Sequence, residues 1–291
     1  MNGPAEIWAE RGGVLAREST AGFAGEESLR RYVRRLLAGQ GRRVDPRNPF
    51  ADAVIEGGVR VHVAVPPVAR RGICLSLRKP AGEPWTLDRL EGAGALGGDA
   101  AGMLRRLVRE KRNVFVSGGT GTGKTSLLGA LLAEVPPHER ILALEDVAEL
   151  RVSHPHFLSL EARPPNQEGE GALPLVRLLR ESLRMRPDRL VVGECRGPEA
   201  LELLMALNTG HRGSFGTIHA NAPRDALHRL ETLALLAAEN LREGAVKSLV
   251  ASAIQVVVHL ERGPGGVRRV AAIAEVRGCE GGTYLLKESK Y

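Results

Sequence analysis

Hydrophobic residues along this chain recur with two different periods, and the changes of period divide it into elements. Residues 6–16 alternate loosely about Gly12-Gly13, which predicts a hairpin. Leu29, Tyr32, Val33, Leu36 and Leu37 then fall at i, i+3, i+4, i+7 and i+8, one face of a helix. The opposite face carries Arg30, Arg31, Arg34 and Arg35, most simply a solvated charged surface. Val54-Ile55-Glu56 and Val59–Val65 alternate on either side of Gly57-Gly58, a second strand pair, and Ile73–Lys79 reads as a further strand. Together these segments predict a small α+β unit.

Pro80-Ala81-Gly82-Glu83-Pro84 interrupts every regular element. The reading is an N-terminal α+β domain over 1–79, a linker over 80–86 and a second domain over 87–291. Asp88–Leu96 and Asp99–Glu110 are predicted helices. Short apolar runs follow at Asn113–Val116, Arg140–Asp146, Arg189–Glu194 and Ile254–Leu260. They alternate with helical stretches, as in a buried parallel sheet, so the second domain is expected to be α/β. Pro164–Gly171 is a long polar loop, the kind that has a function inside a compact domain.

The first of those strands runs into Gly118-Gly119-Thr120-Gly121-Thr122-Gly123-Lys124-Thr125-Ser126, which satisfies G-x-x-x-x-G-K-(S/T). Ser126–Leu132 continues as a helix. Glycines let backbone N–H groups close around an anion, and the helix N-terminus adds its dipole. Lys124 is expected on the β- and γ-phosphates, and the Thr125 hydroxyl on Mg²⁺. A nucleoside triphosphate is the ligand this loop predicts.

Composition narrows the class. Hydrophobic content of 43% and charged content of 26% are those of an ordinary globular protein. The net charge of +7 comes mostly from arginine, which suits phosphate contacts, an anionic membrane surface or an acidic partner. Aromatics are only 3%, and no basic groove is interleaved with them, so nucleic acid is not the expected partner. Cys74, Cys195 and Cys279 are far apart and odd in number, which argues against a disulfide framework or structural zinc and for a reducing compartment.

Two strands end in acids. Glu145 and Asp146 close the Arg140 strand, with Glu149 following, and Glu145 is the expected partner of the metal or its waters. Glu194 closes the Arg189 strand after Gly193, placed to orient and deprotonate an attacking water. His211 and His219 flank a short Gly/Ser/Thr strand and are expected to sense the γ-phosphate. Arg60, Arg78, Arg184 and Arg186 are the candidates for the positive charge that phosphoryl transfer requires.

In order, GGTGTGKT, LALEDVAEL, RPDRLVVGECRG and TGHRGSFGTIHAN resemble the motor ATPases of bacterial type II and type IV secretion and pilus systems. ARPPNQEGEG, LRMRPDRLVVGECRG and NTGHRGSFGTIHANAPRDALHRLE resemble the tight-adherence (CpaF/TadA-like) branch. MNGPAEIWAERGG, GRRVDPRNPFADAVIEGGVRVHVAVPP and LSLRKP extend the likeness over nearly the whole chain. It implies a RecA-like P-loop ATPase domain behind the small N-terminal domain, a hexameric ring, and Mg²⁺-dependent ATP hydrolysis. Nucleotide would sit between the domains, with Arg60 or Arg78 arriving from the same or a neighbouring subunit. Glu194 would be the catalytic glutamate, Glu145 the acidic-box residue and His219 the γ-phosphate histidine. The machine would be cytoplasmic, peripheral to the inner membrane, pushing a membrane platform protein. The chain opens near the family's first shared segment, so contacts made by the extra N-terminal helices of longer members are not expected. The tetracysteine zinc element of some secretion ATPases is missing too.

Three other classes compete: a DNA-associated conjugation or transfer ATPase, a small-molecule kinase and a nucleotide-gated scaffold. The basic charge favours the first, but the acidic and histidine boxes suit attack by water better than transfer to an acceptor.

Overall fold

The computed structural model describes all residues except 12, 13, 20, 21, 81, 166–168, 239, 264 and 265. The turn at Gly12-Gly13, one linker residue and the middle of the Pro164–Gly171 loop therefore lie outside the described residues. The chain forms two compact units, Met1–Gly82 and Glu83–Tyr291.

In the first unit, β1 (Ile7–Arg11) and β2 (Val14–Glu18) pair antiparallel. Helix α1 (Glu26–Ala38) follows, then β3 (Phe50–Ile55), β4 (Val59–Ala64) and β5 (Cys74–Arg78), an antiparallel sheet in sequential order. The predicted helical face is the one that is buried: Leu29, Val33 and Leu37 pack against Ala51, Val61, Val63 and Leu75. Gly57, at φ +78, makes the turn between β3 and β4.

The second unit begins with α2 (Leu87–Gly92) and α3 (Gly98–Arg109). Thr86 caps α2 through its hydroxyl, which accepts from the Arg89 N–H. The chain continues through β6 (Val114–Gly118), α4 (Lys124–Ala133), β7 (Ile141–Glu145), β8 (Phe157–Glu161), α5 (Leu175–Ser182) and β9 (Arg189–Val192). Then come α6 (Glu199–Asn208), β10 (Phe215–His219), α7 (Pro223–Ala237), α8 (Glu243–Ala253), β11 (Val256–Arg262), β12 (Arg268–Glu280) and β13 (Thr283–Lys290).

These strands form one sheet in the order β13-β12-β11-β6-β10-β9-β7-β8. The stretch from β11 to β8 is parallel, and β12 and β13 extend it antiparallel. The alternation along β6 shows how both faces are covered. Val114 and Val116 join one core with residues of α3 and α4, whereas Phe115 joins another with residues of α5, α6, α7 and α8. Burying both faces explains why the strands read as continuous apolar runs. It also fixes the address for chemistry, since all the parallel strands deliver their carboxyl ends to the same edge.

Candidate active site

Strand β6 is buried along its length and delivers the chain to the phosphate loop. At Gly118 an added Cβ would lie 2.5 Å from the Leu260 carbonyl oxygen and 2.7 Å from Thr122 Oγ1, so only glycine lets the loop start this close to β11. Gly121 and Gly123, at φ +71 and +98, turn the chain so that α4 opens at Lys124. The first N–H groups of α4 have no intrahelical acceptor, which is the arrangement that binds phosphate. The buried Lys124 ammonium folds back on the loop, donating to the carbonyls of Gly118 at 3.0 Å and Gly119 at 2.8 Å. Burial holds its pKa below the usual lysine range, against the pull of Glu194. Thr125 and Ser126 lie in the same first turn, partly exposed.

His219 closes β10 and is the register partner of Gly118. Glu194 lies just past β9, the next strand over. The turn that carries it is tied to β10: Thr217 donates to the Gly193 carbonyl at 2.6 Å, and the Cys195 N–H donates to the Thr217 carbonyl at 2.9 Å. His219 Nε2 comes within 2.8 Å of Glu194 Oε1, and its ring nitrogens lie 3.4 and 3.5 Å from Lys124 Nζ. Burial first, then the Lys124 charge, lowers the His219 pKa against the pull of Glu194, which favours the neutral ring.

Arg196 donates to Glu194 Oε2 at 2.5 Å. The other oxygen, Oε1, is buried without a hydrogen-bond partner; His219 stands at contact distance but not in hydrogen-bond alignment. Held by Arg196 through Oε2, the carboxylate presents Oε1 toward His219 and Lys124, where a general base would act. Arg196 was not anticipated from the sequence. Its signal was its place two residues after Glu194.

Glu145 ends β7 and is buried. Its Oε1 accepts the N–H groups of Glu149 and Leu150, each at 2.9 Å, and its Oε2 accepts the Ser159 hydroxyl at 3.0 Å. Burial raises its pKa, opposed by those donors. The carboxylate thus braces the acidic segment that follows β7. Glu145 also explains the glycine before Glu194: a Cβ on Gly193 would lie 2.9 Å from Glu145 Cγ.

Three expected contributors are elsewhere. Arg184 and Arg186 precede β9, and His211 precedes β10, so all three lie at the amino ends of strands parallel to β6. A four-residue strand spans about 13 Å, which puts them across the sheet from their own chain's phosphate loop. His211 Nδ1 instead sits 3.2 Å from the Ala206 carbonyl at the end of α6, and Arg186 pairs with Asp188 at 3.6 Å. Helix α6 carries the chain back to the amino edge before β10 starts, and linear spacing does not reveal that return. Arg60 and Arg78 face each other across β4 and β5 in the N-terminal unit.

A family model for type II/IV secretion system proteins matches residues 1–280. The chain belongs to that family. A Mycobacterium tuberculosis relative named as a conjugal transfer protein is 44% identical over 97% of this chain and 81% of its own length. The type IV secretion system protein PtlH of Bordetella pertussis is 35% identical over 94% of this chain and 88% of its own. Among solved structures, the VirB11 ATPase of the Brucella suis type IV secretion system aligns with a TM-score of 0.55 at 27% identity, over 94% of this chain and 88% of that one. The pilus retraction motor PilT shares the fold, with a TM-score of 0.62 at 20% identity over 99% and 78%. Members of this secretion-ATPase superfamily carry the α/β architecture described above. Among the described residues, no helix is long and apolar enough to cross a membrane.

Proposed function

We propose that this chain hydrolyses ATP to ADP and phosphate and that six copies form a ring driving pilus assembly or protein secretion. The observation that carries the reaction is the meeting of Lys124, Glu194 and His219 beside the phosphate loop, with Glu194 Oε1 2.8 Å from the His219 ring and 3.4 Å between that ring and Lys124. On this reading the N–H groups of Gly118–Ser126 cradle the phosphates, and Lys124 leaves its carbonyl acceptors for the β- and γ-phosphates. Glu194 takes a proton from the attacking water at Oε1, the oxygen that Arg196 does not hold. Neutral His219 hydrogen-bonds the γ-phosphate.

Mg²⁺ fits the donors at hand. The Thr125 hydroxyl would hold it directly and Glu145 through water at the lone pair left by its three hydrogen bonds. Among the described residues no group of three or more His, Cys, Asp or Glu is placed to hold a metal. That suits an ion which keeps waters and shares phosphate oxygens. When bound it would neutralise phosphate charge. Arg60 or Arg78 would complete the site, from the same subunit or a neighbour.

The ring would work at the cytoplasmic face of the inner membrane on a platform protein. The ARPPNQEGEG and histidine-box stretches favour the tight-adherence branch. A conjugation machine is the second reading, supported by relatives named for conjugal transfer. ATP hydrolysis per subunit, measured against protein concentration with Glu194→Gln as blank, tests the proposal. A rate that climbs and saturates, and falls to background in Lys124→Ala, is expected. Normal turnover in either variant would remove the mechanism. DNA that stimulates turnover at low salt would promote the conjugation reading.

A further inference from the structure

We infer that Arg262 and Arg268, on the β11–β12 hairpin, are nucleotide-affinity residues that act on the phosphate loop from the side opposite Glu194. The sheet order sets up the geometry. Strand β6 is flanked by β10, which brings His219, and by β11, whose last residue is Arg262. Arg268 opens β12 and is the direct register partner of Arg262, so the hairpin carries two cationic residues at paired positions.

Both reach the loop. The Arg262 guanidinium would lie 4.0 Å from a Cβ built on Gly121, and the Arg268 side chain 3.5 Å from one built on Gly123. Those are the two positive-φ glycines whose turn aims the loop amides. The same Arg262 group lies over Gly266, 3.2 Å from a Cβ placed there. Two positive charges against the outer surface of a polyphosphate cradle would hold the loop in its turned conformation and add long-range attraction for a bound diphosphate. Both lie on the β11–β12 side of β6, whereas Glu194 and His219 follow β9 and β10 on its other side. They are therefore positioning residues for binding, outside the proton-transfer machinery.

The inference rests on the nucleotide site proposed above, and the test separates the two. ADP binding without Mg²⁺ is measured on the full chain by fluorescence of a labelled ADP, for wild type, Arg262→Gln, Arg268→Gln and the double variant. Glutamine keeps most of each stem, so packing on the glycines survives while the charge is lost. The expected result is a Kd raised about fivefold in each single variant and at least tenfold in the double variant. Saturating kcat should stay within twofold. Arg262→Lys should recover most of the lost affinity, which a purely steric role would not predict. Wild-type binding with the double variant within twofold of it would overturn this inference alone. Failure of the wild type to bind ADP would remove the nucleotide site and this inference with it. A double variant that weakens binding only in parallel with a lowered melting temperature, with no recovery by lysine, would likewise overturn the role assigned to charge.

Discussion

The two edges of the large sheet are built from similar residue types and are opposite in character. At the amino edge Arg189 is fully buried, and each of its nitrogens is engaged: Nε with Glu139 at 2.5 Å, one terminal nitrogen with the Gly213 carbonyl at 2.9 Å, the other with that of Val108 at 3.1 Å. Lys111 adds a second cation to Glu139 at 3.1 Å. Burial pushes the Glu139 carboxyl up, but Arg189 and Lys111 outweigh it and hold it below the usual range. Asn113 nearby donates to the Ala253 carbonyl and accepts the Ser214 N–H. At the carboxyl edge, Glu194 Oε1 faces the His219 ring at 2.8 Å without a hydrogen bond. Lys124 spends its protons on loop carbonyls that a phosphate would outcompete. The Arg189–Glu139 pair is what an ion pair looks like when its work is structural, although Arg112 Nε and Arg140 Nε at the same edge are buried without a hydrogen bond. The carboxyl edge instead gathers Lys124, Glu194 and His219 around the phosphate loop, so the way the charges are partnered separates the two roles better than residue type does.

The largest expected effect breaks the carboxyl edge. Glu194→Gln should lower ATP turnover by about 10²–10⁴-fold, the usual contribution of a positioned general base, with little change in melting temperature. A comparable loss of stability would mean that Glu194 is structural and that the contrast between the edges is false.

Next is the amino edge. Arg189→Ala leaves Glu139 with Lys111 alone and removes the donors to the Gly213 and Val108 carbonyls, which should cost about 3–5 kcal/mol in chemical denaturation. ADP affinity of the folded fraction should be unchanged. A neutral outcome would show that water reaches Glu139 and that this edge is not sealed. Gly193→Ala should cost about 1–3 kcal/mol, because the new Cβ presses on Glu145 Cγ and disturbs the segment that Glu145 braces. Unchanged stability would mean that β7 and β9 part easily at their carboxyl ends.

Much of this was legible from local signals. A glycine-rich turn between a buried strand and a helix, and acids at strand ends, are determined over a few residues, so Lys124, Glu145, Glu194 and His219 could be named in advance. The buried face of α1 was legible for the same reason, since period alone assigns it. What was not legible depends on where the chain goes between strands. Whether His211 or Arg186 lies at the chemical edge depends on the return of α6 and on the start of β9, and no spacing encodes that. The choice of glycine at 193 depends on Glu145, which is distant in sequence. The pairing of β12 and β13 onto β11, which brings Arg262 beside the phosphate loop, is likewise a tertiary event.

The smallest effect concerns His219, and it sharpens the contrast through pH. Burial, then Lys124, lowers its folded-state pKa from the usual 6.5, so protonation favours the unfolded chain. Between the lowered folded value and 6.5 the unfolded state binds more protons, and stability must rise with pH across that window. Above 6.5 both states are neutral and the contribution is flat. His219→Gln removes the titration. The melting temperature of the wild type relative to this variant should therefore fall as pH is lowered through about 6.5, and stay level above it. The side chain is 29% exposed, so the slope is modest. The opposite slope, with the wild type gaining on the variant in acid, would mean that Glu194 rather than Lys124 governs the ring. His219 would then be an imidazolium partnered by a satisfied glutamate, and the carboxyl edge would be as closed as the amino edge.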